Sequence, residues 1–154
     1  MAVNPYTHPL FETGIFAVSL QERHRVITQT GMDLFTTAAS TWKIRRIPQQ
    51  TFVTSNTCVQ ISDGDTGTPA AVFSLEVTNG VTTKTVISLA TTAGTGGLIR
   101  PTKAASVEDG VGFVVPDSTY WLQLRCTTAA ATPANVDATC HLYVSGEVEG
   151  ANYG

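Results

Sequence analysis

The chain is expected to be all-β, a single β-sandwich or jelly-roll-like barrel with an extended N-terminal arm. Three observations carry that expectation. Thr and Val, β-branched and stiff at χ1, fill short runs and suit a pleated surface better than a helix. Gly, Pro, Asn and Asp punctuate those runs. The hydrophobic share of 42% is too high for a disordered chain, and 154 residues suffice for one domain with its own core.

Residues 1–13 read as the arm, 14–149 as the sandwich and 150–154 as a flexible tail. Pro5 and Pro9 fix φ and disfavour helix at Asn4 and His8. Tyr6, Leu10 and Phe11 are too apolar for a segment meant only for water, so the arm is expected to dock on a partner. Phe16, Val18 and Leu20 alternate with Ala17 and Ser19 as a first strand, and Gln21–Arg25 is a polar, exposed run. Trp42–Ile47 is strand-like and stops at Pro48, with Lys43 and Arg45 on one face and Trp42, Ile44 and Arg46 on the other. Phe52–Thr54 and Cys58–Ile61 follow, the second ended by a turn at 62–67.

Val72–Val77 and Thr82–Ile87 flank Asn79-Gly80, the pair that suits a type I′ hairpin turn. A two-residue loop would set Phe73 opposite Val86 and Leu75 opposite Lys84. Residues 89–112 are rich in Ala, Thr and Gly and read as a loop that Leu98 and Ile99 could anchor. In the last two strands, Tyr120, Leu122, Leu124 and Cys126 share one face, as do Cys140, Leu142, Val144 and Val148. An antiparallel register of Cys126–Cys140, Leu124–Leu142 and Leu122–Val144 would match apolar to apolar. The reverse face would then gather Trp121, Gln123 and Arg125 with Ser145, Tyr143 and His141. Trp121 and Tyr143 become candidates for an oligomer interface.

Little in the chain suggests catalysis, and no enzymatic activity is expected. Three His and three Cys are scattered, and no Gly-x-Ser-x-Gly, His-Glu-x-x-His or phosphate loop occurs. Asp63-Gly64-Asp65-Thr66-Gly67 lacks the further ligands of a Ca²⁺ loop and reads as a plain turn. No metal or cofactor is expected. Cys58, Cys126 and Cys140 are expected as reduced core thiols, with a Cys126–Cys140 disulfide as the alternative. The N-terminal residues lack the basic and apolar regions of a signal peptide, and no run is long enough to span a membrane. Net charge is −3, so neither nucleic acid nor membrane is an expected partner. The charge is uneven, however. Residues 1–50 carry Arg23, Arg25, Lys43, Arg45 and Arg46 against three acids, whereas the remainder has four cations against nine acids. The basic set could face an acidic partner.

The arm phrase Asn4-Pro5-Tyr6-Thr7-His8-Pro9, the hairpin around Asn79-Gly80 and the turn-then-strand phrase Phe113–Leu122 together resemble the cement, or head-decoration, proteins of tailed bacteriophages. The resemblance implies a structural virion protein made in the host cytoplasm and seated on the capsid surface. It implies a homotrimer that bridges major capsid proteins but no residue-level site; the candidate contacts, Tyr6, Leu10, Phe11 and the basic set, come from the residues themselves. Two other readings use the same features. One is a carbohydrate- or receptor-binding sandwich of a phage fibre, with Trp121 and Tyr143 side by side under a sugar ring. The other is a neck or tail connector subunit.

Overall fold

Alternating side chains in the last third of the chain decide the layering. A computed structural model describes residues 22–34, 36–62, 65–66, 71–90, 97–99, 109–133 and 135–146. Its strands are β1 (Arg23–Met32), β2 (Thr41–Arg46), β3 (Thr51–Val53), β4 (Cys58–Ile61), β5 (Asp65–Thr66) and β6 (Val72–Thr78). They continue with β7 (Thr83–Ala90), β8 (Gly97–Ile99), β9 (Trp121–Thr128), β10 (Thr132–Pro133) and β11 (Val136–Gly146). Two antiparallel sheets form. One runs β1-β11-β4-β8 with β3 also on β11, the other runs β2-β9-β6-β7, and β5 and β10 make a separate short ribbon. The architecture is the expected β-sandwich, without closure into a barrel.

Leu122, Leu124 and Cys126 of β9 and Phe73, Leu75 and Val77 of β6 point to one side of their sheet, where all are buried. Val59 and Ile61 of β4 and Val136, Ala138, Cys140 and Leu142 of β11 do the same in the other sheet, and the two rows join in one core cluster. Burying each such side chain stabilises the fold by about 1.5–3 kcal/mol before the entropy of ordering is counted.

The apolar faces of the last two long strands are therefore as the sequence suggests as far as Val144, with Val148 outside the described residues, but their pairing is not. β9 pairs with β2 and β6, and β11 pairs with β1, β3 and β4. Leu124 and Leu142 meet the core from opposite sheets rather than as cross-strand neighbours. Apolar rows match across a sandwich as well as along a ladder, so complementarity alone does not choose between the two arrangements.

The β6–β7 hairpin forms around Asn79-Gly80 with a different turn. Thr78 pairs with Thr83, leaving four loop residues, and Phe73 lies opposite Leu89, Leu75 opposite Ile87 and Val77 opposite Lys84. Gly80 has φ +89°, but Asn79 is not in the positive-φ region that a type I′ turn requires. Its side chain organises the loop instead, Oδ1 accepting from the N–H groups of Val81 and Thr82 at 3.0 and 2.7 Å.

The strand read at Phe16–Leu20 lies outside the described residues, as do the arm and the C-terminal tail. The Gln21–Arg25 run enters β1, which reaches Met32. Gly97–Ile99, inside the stretch expected to be a loop, is instead a short strand paired with β4. Within the 62–67 turn, Asp65 and Thr66 pair with Pro133 and Thr132.

One segment joins the two sheets at a side. Asp109 accepts from Lys84 Nζ at 2.7 Å and from the Thr85 N–H at 3.0 Å, and Gly110 N donates to Thr85 O at 2.7 Å. Two residues on, Gly112 N donates to Val53 O, and Val115 N donates to Thr51 O. The stretch 109–115 thus ties the β7 edge of one sheet to β3 of the other.

Candidate partner-binding surface

The outward face of the β2-β9-β6-β7 sheet carries the most organised polar cluster among the described residues. Because Leu122 and Leu124 point inward, Trp121, Gln123 and Arg125 point outward, and Ser74, Glu76 and Thr78 of β6 stand beside them. Glu76 is 4% exposed, and a buried carboxylate must be bonded. The Ser74 hydroxyl donates to its Oε1, Gln123 Nε2 donates to Oε2 at 2.9 Å, and Arg125 sits 3.8 Å away. Gln123 Oε1 in turn accepts from the Trp121 indole N–H at 2.9 Å. The chain of bonds Trp121–Gln123–Glu76 leaves no described buried side-chain polar atom without a partner.

On β2 the strict alternation expected of Trp42–Arg46 is broken. A bulge between Lys43 and Arg45 sets Lys43 opposite Gln123, Arg45 opposite Leu122 and Arg46 opposite Trp121. An extra residue reverses the facing of everything after it. Lys43 and Arg46 therefore share the outward face, while Trp42 and Ile44 pack on the core. Lys43 Nζ lies 4.2 Å from the Trp121 ring centroid, within cation–π range, and Arg46 donates to Ser118 O at 3.0 Å.

The outward face of the other sheet is different in kind. His24 stacks on Tyr143 with centroids 4.3 Å apart, and His24 Nε2 lies 3.3 Å from His141 Nδ1. One imidazole must be the donor and the other the acceptor. Val26, opposite His141, is 55% exposed. Arg23 and Arg25 occupy the register of Val144 and Leu142, on the core side of β1, and stay exposed because β1 is a sheet edge.

No family model and no curated protein sequence matches the chain. Among solved structures, it is similar to a chain of the cyanophage Pam1 capsid asymmetric unit, with a TM-score of 0.53 and 18% identity over 81% of this chain and 86% of that one. That likeness shows a shared fold. A pentameric capsid protein isolated from metagenomic phage sequences also matches, at a TM-score of 0.25 and 16% identity over 74% of this chain and 67% of that one. Its shape is too different to bear on the fold.

The structure thus splits the sequence-derived candidates. Lys43, Arg46 and Trp121 share one outward face with Arg125, which the alternation along β9 already placed beside Trp121 and Gln123. Arg23, Arg25 and Arg45 take core-side register positions instead. Tyr6, Leu10 and Phe11 lie outside the described residues. Trp121 and Tyr143 project from different sheets, so they form no common platform, because the strands that carry them are not neighbours.

The thiols show the same separation. Cys58, Cys126 and Cys140 are buried and form no disulfide, and Cys126 and Cys140 belong to different sheets rather than facing each other along one ladder. Burial, then the nearby Cys58 thiol, pushes Cys140 up to about 12. Such a thiol is a poor nucleophile at neutral pH. Among the described residues no group of three or more His, Cys, Asp or Glu side chains is placed to hold a metal ion. What the surface offers chemically is fixed cations around an oriented indole.

Proposed function

We propose that this chain is a structural protein of a phage particle that binds the outside of the capsid as a trimer and bridges major capsid proteins. The observation that carries the reading is the fold likeness, along 81% of the chain, to a chain of a phage capsid asymmetric unit. An arm with Tyr6 between Pro5 and Pro9, and Leu10 and Phe11 directly after Pro9, supports it, since apolar anchors beside residues that stiffen the free chain bury area at a reduced ordering cost. The cations of β1 and β2 and the outward rings Trp121 and Tyr143 supply further contact surface. The fibre-tip alternative loses its main support, because a sugar ring cannot rest on Trp121 and Tyr143 together.

Cryo-electron microscopy of particles carrying the chain tests the reading. Three-fold density outside the lattice, at junctions between capsid subunits, is expected. Density confined to the neck or fibres overturns it. For the arm, removing residues 2–13 should leave the β-type circular dichroism spectrum unchanged while weakening binding to shells that lack the protein. Full-strength binding by the truncated chain refutes the anchor role.

A further inference from the structure

We propose that the outward face of β2 and β9 docks an acidic segment of a partner protein, with Trp121 as its aromatic anchor and Lys43 and Arg46 as its charge-reading groups. The inference rests on the capsid-binding reading for the partner's identity, but its chemistry comes from the face itself.

The bulge in β2 is the first support. Without it Arg46 would follow Ile44 to the core side; with it, Arg46 stands opposite Trp121 and Lys43 opposite Gln123. Bulges commonly re-aim a side chain, and this one gathers two cations at one indole. The second support is preorganisation. The Trp121 N–H is fixed by Gln123, and Gln123 by Glu76. At the far edge of the ring, a Cβ on Gly80 would sit 3.6 Å from Trp121 Cη2, so the hairpin loop borders the indole. An aromatic side chain already held in place loses little entropy on binding, a property of residues that dominate interfaces.

Charge selects the partner class. On β2, β9 and β6 the outward face offers Lys43, Arg46 and Arg125, and the one carboxylate among these residues, Glu76, is bonded by Ser74, Gln123 and Arg125. Asp117, at the turn before β9, is likewise engaged by the Thr119 hydroxyl and N–H. Arg125 is thus paired with Glu76, while Lys43 and Arg46 make no ion pair with a described carboxylate, Lys43 lying over the Trp121 ring and Arg46 donating to a backbone carbonyl. A carboxylate-bearing peptide matches these two cations. A nucleic acid does not, because two cations at one indole are too few, on too small a footprint, to follow a phosphate backbone.

The test uses the full chain and the variant Lys43→Glu with Arg46→Glu, both sites being exposed, with melting curves to verify the fold. In the first arm, binding to shells lacking the protein should weaken about tenfold or more in the variant, and wild-type binding should fall as salt rises. In the second, the ¹⁵N-indole resonance of Trp121 should move on addition of a hexaglutamate peptide but not of a thymidine oligonucleotide, and the variant should lose the response. Unchanged shell binding by the folded variant overturns the docking face while leaving the capsid reading intact. Failure of the wild type to bind shells, with the hexaglutamate response present, sinks the capsid reading and keeps the face. A stronger response to the oligonucleotide, or no response to either probe, overturns the inference.

Discussion

Gly110→Ala probes the seam between the two sheets. A Cβ at Gly110 would lie 2.8 Å from Lys84 O and from both the carbonyl carbon and oxygen of Thr85. These are backbone atoms of β7 and cannot rotate away, whereas carbon contacts relax only near 3.5–4.0 Å. The segment must move off by several tenths of an ångström, which stretches the 2.7 Å bond from Gly110 N to Thr85 O. Overpacking costs about 1–3 kcal/mol and the weakened hydrogen bond about 1, while the stiffer unfolded chain of Ala returns about 0.4–1. A net loss of about 1–3 kcal/mol follows, or roughly 2–12 °C in Tm for a chain of this size. Differential scanning calorimetry measures the shift, and amide exchange at residue 110 reports the local bond. An unchanged Tm with a protected amide at 110 would refute the close approach on which the argument depends.

The remaining predictions concern the core, the hairpin and the thiols. Leu124→Ala and Leu142→Ala should each cost about 2–5 kcal/mol in denaturant unfolding, since both side chains are buried; a loss below about 1 kcal/mol at either would contradict that burial. Gly80→Val should destabilise by about 1–3 kcal/mol through its φ of +89°, and an unchanged melting curve would count against the turn. Cys140, raised to about 12 from the usual 9.0, stays neutral in the fold at pH values where the unfolded chain ionises. Its contribution is therefore intact below about pH 9 and is lost as pH climbs toward 12. Iodoacetamide at pH 8 should label the thiol rapidly only after denaturation; fast labelling of the folded protein would show that it is not buried.

How much of this was legible in the sequence depended on what each pattern encodes. A period of two reports which side chains face inward, so Cys58–Ile61 and the apolar rows of β9 and β11 were readable. It does not report which strand lies alongside, and so rows from two facing sheets carry the same pattern as one ladder. β1 escaped notice because, as an edge strand, it buries almost nothing: only Ile27 and Met32 are even half-buried along Arg23–Met32. The surface cluster was half-visible. Trp121 and the basic residues stood out by type, but the bulge that turns Arg46 toward Trp121 leaves no mark in the order Lys-Ile-Arg-Arg. Nothing in the sequence marks Glu76, and only the neighbouring strand shows that Gln123 and Arg125 enclose it.

β11 is the shared partner of β1, β3 and β4, so β1 and β3 have no place in their sheet until the last described strand exists, although β4 and β8 can pair before it. On the ribosome, the β2-β9-β6-β7 sheet can complete once Thr128 has emerged, while Arg23–Met32 must wait for Val136–Gly146. Contacts between such distant parts of a chain close slowly. During that wait, one finished sheet presents the apolar row Phe73, Leu75, Leu122 and Leu124 with nothing opposite it. A nascent or prematurely terminated chain is then most prone to stick to its neighbours in the interval before Val136–Gly146 arrives.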